Sequence, residues 1–273
     1  MSENIIGIRE TLLYIYDQIK GMSDEQILTG KTDVLKPCFN ELDRLAARHV
    51  TQEIVKEISE SAEFAPALSV ISRLRNLYNL RLEIEQAHAL LDSADPWARI
   101  KDFTFYANYI QLAAMEQKGA KLKPQDRIIF LGSGPLPLSL IILCSLYGLQ
   151  GVGIEQEASS VALSRQVVQH LGLKQQIQII CGDHFSLPLE EETQLLMVAA
   201  MARPKREIFA HLAQVLPEGD LISFRLYEKG LRKILDQEED VVLPEGFTAH
   251  CRICPHPPVN NTVIMIKKSF SDP

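Results

Sequence analysis

The sequence predicts an α/β protein in two parts: an all-α helical bundle over residues 1–118 and a doubly wound parallel sheet over 119–273. Three observations carry this. Before residue 120 apolar residues recur at intervals of three and four, in long segments where glycine is scarce. After it, short continuous apolar runs alternate with helical ones, and glycine-bearing turns close several of those runs. Strand and helix in strict alternation imply parallel pairing through right-handed crossovers.

The first helix is expected over 4–20, with Ile5, Ile8, Leu12, Ile15, Tyr16 and Ile19 on one face. A second follows over 33–49, a short one over 51–59 and the longest over 64–91. Ser93-Ala94-Asp95-Pro96-Trp97 is a break and restart, with Asp95 suited to an N-cap and Pro96 to the first helical position. The last helix of this part runs on to Lys118. In the second part, strands at 127–131, 151–155, 177–181, 195–200 and 221–226 alternate with helices at 139–147, 159–171 and 206–215. Two further strands, 248–254 and 262–267, pair at the end.

Hydrophobic residues make up 46% of the chain and charged residues 23%, the balance of a well-packed globular protein. A net charge of −7 gives no basic footprint for nucleic acid. Glu3, Arg9, Glu10 and Asp17 interrupt the first apolar run, which therefore reads as an amphipathic helix and not a secretory signal. The most apolar stretch, 128–149, is broken by Gly132, Gly134, Pro135 and Pro137, so no membrane span is expected. Five cysteines at irregular spacing fit reduced thiols in the cytoplasm better than a disulfide framework.

The informative constellation is Gly132-Ser133-Gly134 after the first strand, Glu155 at the tip of the second and Gly182-Asp183 after the third. Ligands of doubly wound sheets sit at the carboxyl ends of such strands. The pattern suits a dinucleotide or S-adenosylmethionine. A dinucleotide fingerprint wants a third glycine where Pro137 stands. Pro135 and Pro137 also lack the N–H donors that a pyrophosphate cradle needs. S-adenosylmethionine has no phosphate, so the loop favours a class I, S-adenosylmethionine-dependent Rossmann-like domain behind the helical bundle. The expected cofactor-binding set is Gly132, Ser133, Gly134, Pro135, Glu155, Gln156, Asp183, His184 and Ala199, with Glu155 accepting from ribose hydroxyls and Asp183 from the adenine amino group. Methyl transfer to nitrogen often uses an Asn/Asp-Pro-Pro-aromatic motif after the fourth strand. Residues 198–204 hold none, and Leu131 stands where an acid often precedes the glycine loop.

Several strings, in order from Leu74 to Lys267, resemble the nicotianamine synthase family. They are Leu82-Glu83-x-Glu85, Asp95-Pro96-Trp97, Phe103-x-Phe105-Tyr106-x-x-Tyr109, Gly132-Ser-Gly-Pro-Leu-Pro-Leu138, Met197-Val-Ala-Ala200 with Pro204-Lys-Arg206, and Val259-Asn-Asn-Thr262. The resemblance is strongest to the single-transfer members of archaea and bacteria. It implies transfer of the 3-amino-3-carboxypropyl (aminobutanoyl) arm of S-adenosylmethionine to an amine, releasing methylthioadenosine. The acceptor in such members is glutamate or histidine, and the products are precursors of opine-type metallophores.

On this resemblance Glu83 is the base and Tyr109 holds the reacting amine. Helix phase agrees for Glu83, which shares a face with Leu80, Ala87 and Leu90, where a desolvated carboxylate becomes a stronger base. Glu85 lies four residues after Arg81, the spacing of a surface pair. Tyr106, Glu85, Arg225 and Tyr227 are expected at the substrate, Tyr106 by cation–π contact with the sulfonium and Arg225 by a bidentate bond to a carboxylate. The pair Cys251-x-x-Cys254-Pro-His256 has no second ligand pair at knuckle spacing, so no metal is expected. Seventeen glutamines argue against a hyperthermophilic source and tilt the acceptor toward histidine. The expected partners are an amino-acid substrate and, by functional coupling, an opine-type dehydrogenase, with a homodimer left open. The alternatives are an S-adenosylmethionine-dependent small-molecule methyltransferase, the same transfer to glutamate, or a non-catalytic binding module.

Overall fold

The computed structural model describes residues 3–48, 50–227, 230–235, 245–254 and 261–269. Its helices are α1 (Glu3–Ile19), α2 (Asp24–Thr29), α3 (Thr32–Ala47), α4 (Gln52–Ser59), α5 (Ala65–Leu91), α6 (Pro96–Lys101), α7 (Tyr106–Ala120), α8 (Leu138–Tyr147), α9 (Ala158–His170), α10 (Lys205–Val215) and α11 (Arg232–Leu235). Its strands are β1 (Arg127–Leu131), β2 (Gln150–Glu155), β3 (Ile177–Cys181), β4 (Leu195–Val198), β5 (Leu221–Leu226), β6 (Phe247–Ile253) and β7 (Thr262–Lys268). The chain divides into two compact units, Met1–Leu82 with Tyr227–Glu239, and Glu83–Leu226 with Asp240–Pro273. The division thus falls inside α5.

In the first unit, Ile5, Ile8, Leu12, Ile15 and Ile19 form the buried stripe of α1, as the spacing predicts. Tyr16 rides at its edge, half-buried, with the Lys20 ammonium over its ring. The sequence reading passed over α2, whose single buried residue, Ile27, gives no periodic signal. Its start is nonetheless encoded: the Ser23 hydroxyl accepts from the Gln26 amide, and the Gln26 side chain accepts from the Ser23 amide. Arginines of α5 then fix this segment. Arg73 donates to Asp24 and to the Met22 carbonyl, and Arg81 donates to the carbonyls of Ile27 (3.1 Å) and Gly30 (2.8 Å).

The second unit holds a seven-stranded sheet in the order β3-β2-β1-β4-β5-β7-β6. β1 to β5 pair in parallel, and β7 runs antiparallel between β5 and β6. Buried side chains of β1, β2, β4 and β5 make short continuous runs, as strands covered on both faces require, whereas the edge strand β3 alternates at its start. α8 is buried from Leu138 through Cys144. Asp95 caps α6 by accepting from the Ala98 amide, with Pro96 behind it. The one helix expected from there to Lys118 is two, α6 and α7, parted at 102–105 where Phe103 and Phe105 meet edge to face.

Candidate active site

The glycine loop at the end of β1 is shaped by close approach. Gly132 has φ +82°, and a Cβ there would stand 3.1 Å from the Ala199 Cβ. Gly134 has φ +72°, and a Cβ there would stand 3.1 Å from Glu83 Oε2. At the tip of β2, Glu155 pins the loop: one carboxylate oxygen accepts from the Gly134 amide and the other from the Glu157 amide, both at 2.9 Å. A carboxylate has about four acceptor sites, so two such bonds leave room for hydroxyl donors. Ser133 and Pro135 are buried, and the Ser133 hydroxyl has no partner among the described residues. Ala199 closes the floor, its amide donating to the Leu131 carbonyl.

Glu83 faces this loop. Its carboxyl pKa is pushed up from 4.5 to about 8, chiefly because burial strips water from the charged form. The Tyr109 hydroxyl opposes that rise and the negative charge of Glu155 adds to it. Glu83 is half-buried by surface area although its carboxyl is strongly desolvated, so protein hems it on most sides while one face stays open. Its helix neighbours Ala87 and Leu90 are fully buried, and Leu80 half-buried. The only hydrogen bond Glu83 accepts among the described residues comes from Tyr109 at 3.4 Å, long for such a bond. Tyr106, one turn earlier on α7, is half-buried with its phenol pKa raised by that burial.

A second edge of the site lies beyond β3. Asp183 is exposed and accepts from the Phe185 amide at 2.9 Å. His184 is buried against Phe185 and His211, with its Nε2 lacking a hydrogen bond and 3.9 Å from Glu207. Phe185 itself is 61% exposed and offers a bare aromatic face beside Asp183. Gln156 is exposed at the tip of β2.

The structure thus joins Glu83, Tyr109, Gly134 and Glu155 through direct contacts. Other expected residues lie differently. The guanidinium of Arg225, expected at a substrate carboxylate, is engaged by the chain itself, with Nε and Nη2 on the two oxygens of Glu116 at 2.9 and 2.8 Å and Nη2 on Ser139 at 3.0 Å. Glu85 is exposed. Tyr227 groups with the first unit, where Arg232 stacks 5.1 Å over its ring. Glu116 and Ser139, both buried, are the polar residues that the sequence reading missed. Cys251 is partly buried and Cys254 exposed, while His256 lies outside the described residues. Among the described residues no group of three metal-capable side chains gathers. Of the Val259–Thr262 string, Asn261 and Thr262 are buried, and Val259 and Asn260 lie outside the described residues.

The strand order, the glycine loop and the acid at the end of β2 define a Rossmann-like fold of the class I, S-adenosylmethionine-dependent type. The nicotianamine synthase protein family matches residues 3–272, and the chain belongs to that family. The crystal structure of MtNAS in complex with MTA and tNA shares 30% identity and a TM-score of 0.85, over 96% of this chain and 98% of that one. A glutamate-to-glutamine variant of MtNAS in complex with S-adenosylmethionine shares 29% identity at TM-score 0.84, over 95% and 97%. The L-histidine 2-aminobutanoyltransferase of Yersinia pestis is 25% identical over 166 residues, 61% of each chain, so the match spans about three fifths of that enzyme. The Pseudomonas aeruginosa enzyme of the same name is 20% identical over 152 residues, 56% of this chain and 57% of that one. No helix among the described residues is long and apolar enough to cross a membrane.

Proposed function

We propose that the protein transfers one aminobutanoyl group from S-adenosylmethionine to the amine of histidine, with methylthioadenosine as the second product. The single observation that carries this is Glu83, a carboxyl with pKa about 8 held against Gly134 of the cofactor loop and touched by a phenol. When bound, S-adenosylmethionine supplies a sulfonium with three electrophilic carbons, of which the Cγ methylene is the one attacked.

The residues present fit that substrate. The unpartnered Ser133 hydroxyl and the free acceptor sites of Glu155 suit its polar atoms, and Asp183 with the bare face of Phe185 suits an adenine. Gln156, His184, Pro135 and Ala199 complete the wall. Choice among the three carbons is geometric, so the amine must be held in line with the methylene. Tyr109 orients the amine, Tyr106 faces the cation, and the Glu83 carboxylate takes the proton that the amine loses as the N–C bond forms. A base with pKa near the working pH is the most effective for that step. The MtNAS variant bound to S-adenosylmethionine carries glutamine in place of one glutamate, which accords with a carboxylate at the chemistry.

Histidine as acceptor is supported by the names of the Yersinia and Pseudomonas relatives and by the glutamine-rich composition. The adduct keeps free amino and carboxyl groups, the substrates of an opine-type dehydrogenase in metallophore synthesis. The test is incubation with S-adenosylmethionine and equal histidine and glutamate, followed by mass spectrometry. One aminobutanoyl group on histidine, with methylthioadenosine, is the expected result. A dominant glutamate adduct overturns the acceptor, and S-adenosylhomocysteine overturns the transfer in favour of methylation.

A further inference from the structure

A buried, bidentate ion pair of the second unit sits beside Tyr109. Arg225, on β5, is 5% exposed and Glu116, on α7, is 1% exposed. Their two hydrogen bonds run in parallel, the bidentate geometry that fixes a guanidinium plane, and Ser139 of α8 holds a third edge. The guanidinium carbon lies over two rings, 5.8 Å from the Tyr109 centroid and 5.6 Å from the Phe130 centroid. Glu116 and Tyr109 are both on α7, so the pair braces the helix that carries the phenol. At its other end the phenol reaches Glu83.

We propose that Arg225 and Glu116 are positioning residues, a buried platform that sets the Tyr109 ring so that its hydroxyl meets the Glu83 carboxyl. The inference rests on Glu83 being the base of the proposed transfer. It assigns Arg225 to the chain's own phenol, because Nε and Nη2 are held by Glu116 and Ser139 while the guanidinium carbon lies over the Tyr109 ring. The bidentate pairing of the guanidinium, its position over the Tyr109 ring, and the placement of Glu116 and Tyr109 on one helix are independent observations.

A readout without turnover separates this proposal from the transfer reaction. Carbon-13 carboxyl NMR of glutamate-labelled protein follows the Glu83 titration, identified as the signal missing in Glu83→Gln. Tyr109→Phe removes a bond that favours the carboxylate, so the midpoint should rise by about half a pH unit or more. Glu116→Gln is the poorer variant, because the cation it leaves uncompensated itself favours the Glu83 carboxylate and opposes the rise. Glu116→Gln leaves a buried cation without its partner and risks unfolding. The paired variant Arg225→Met/Glu116→Met removes both charges and should fold, again with the Tyr109→Phe midpoint. An unchanged midpoint in the folded paired-Met protein overturns the platform, as does a shift that adds to that of Tyr109→Phe when the three substitutions are combined. Absence of methylthioadenosine from the wild-type reaction would instead remove the proposed transfer and leave these titrations to be judged alone.

Discussion

Charged side chains on the two parts of α5, one in each unit, are treated differently. On the first-unit part of α5, Arg75 is 1% exposed and meets Asp43 at 3.2 Å with its guanidinium over the Phe39 ring, and Arg81 donates to two carbonyls. On the second-unit part of the same helix, Glu83 is desolvated and receives one long bond from a neutral phenol. A buried charge that is fully paired contributes specificity and costs little more once the fold is made. A desolvated carboxyl with so little to compensate it is kept at a cost, and the return is reactivity. The contrast teaches where to look for chemistry: at the under-satisfied group, not the most deeply buried one.

The largest effect should come from breaking each side of that contrast in turn. Glu83→Gln keeps shape and hydrogen bonding but accepts no proton, so turnover should fall ~100-fold or more in a folded protein. Arg75→Met, made in the first unit, should lower stability by roughly 2 kcal/mol or more while leaving turnover per folded molecule unchanged. Steady-state kinetics with thermal melts on both variants checks this. If the losses are interchanged, the distinction between the two burials is mistaken.

Glu155 sits between the extremes, partly accessible and holding two amides. Glu155→Ala should weaken S-adenosylmethionine binding by roughly 1–3 kcal/mol, the cost of leaving buried donors unpaired. Calorimetric titration reads it directly, and an undiminished affinity would take Glu155 out of the cofactor site.

A raised Glu83 pKa also sets a pH profile. A base must be deprotonated to act, so kcat/KM for the free enzyme should climb with pH and level off above about 8, where Glu83 titrates. A sulfonium bound nearby favours the carboxylate, so the limb in kcat should lie lower than the limb in kcat/KM. A flat profile from pH 6 to 9 would argue against a base of this kind.

How much of this was legible before the structure depends on how local each signal is. The alternation of runs after residue 120 marked every strand within a few residues: β1, β2, β4 and β5 are continuously buried, and the remaining strands are bounded by turn residues. The glycine loop, Glu155 and Asp183 were legible because each sits at a strand end fixed by that alternation. Glu83 was legible from helix phase together with family likeness. Glu116 carried the same local signal, an acid on the buried stripe of Leu112 and Ala113, and went unread. Phase alone does not separate a base from half of an ion pair. That depends on Arg225, 109 residues away, and no periodicity reports such a pairing. Two local features were lost for the opposite reason: α2 is too brief for a period, and the break at 102–105 contains no proline or glycine to mark it.

The smallest effect is the most specific to the burial of Glu83, and it concerns stability, not rate. Its folded pKa, about 8, stands above the ordinary 4.5. Between those values the folded state binds more protons than the unfolded one, so stability falls as pH rises through that window. Below it the group is neutral in both states and contributes nothing to the slope; above it the full cost of the buried charge is present. Glutamine never ionises and escapes this cost. The melting temperature of Glu83→Gln should therefore match wild type near pH 4 and exceed it by about 2–4 °C or more at pH 9, at roughly 2–4 °C per kcal/mol for a domain of this size. A gap that is constant with pH would mean that the substitution acts through packing, and that the Glu83 carboxyl is better solvated than its surroundings indicate.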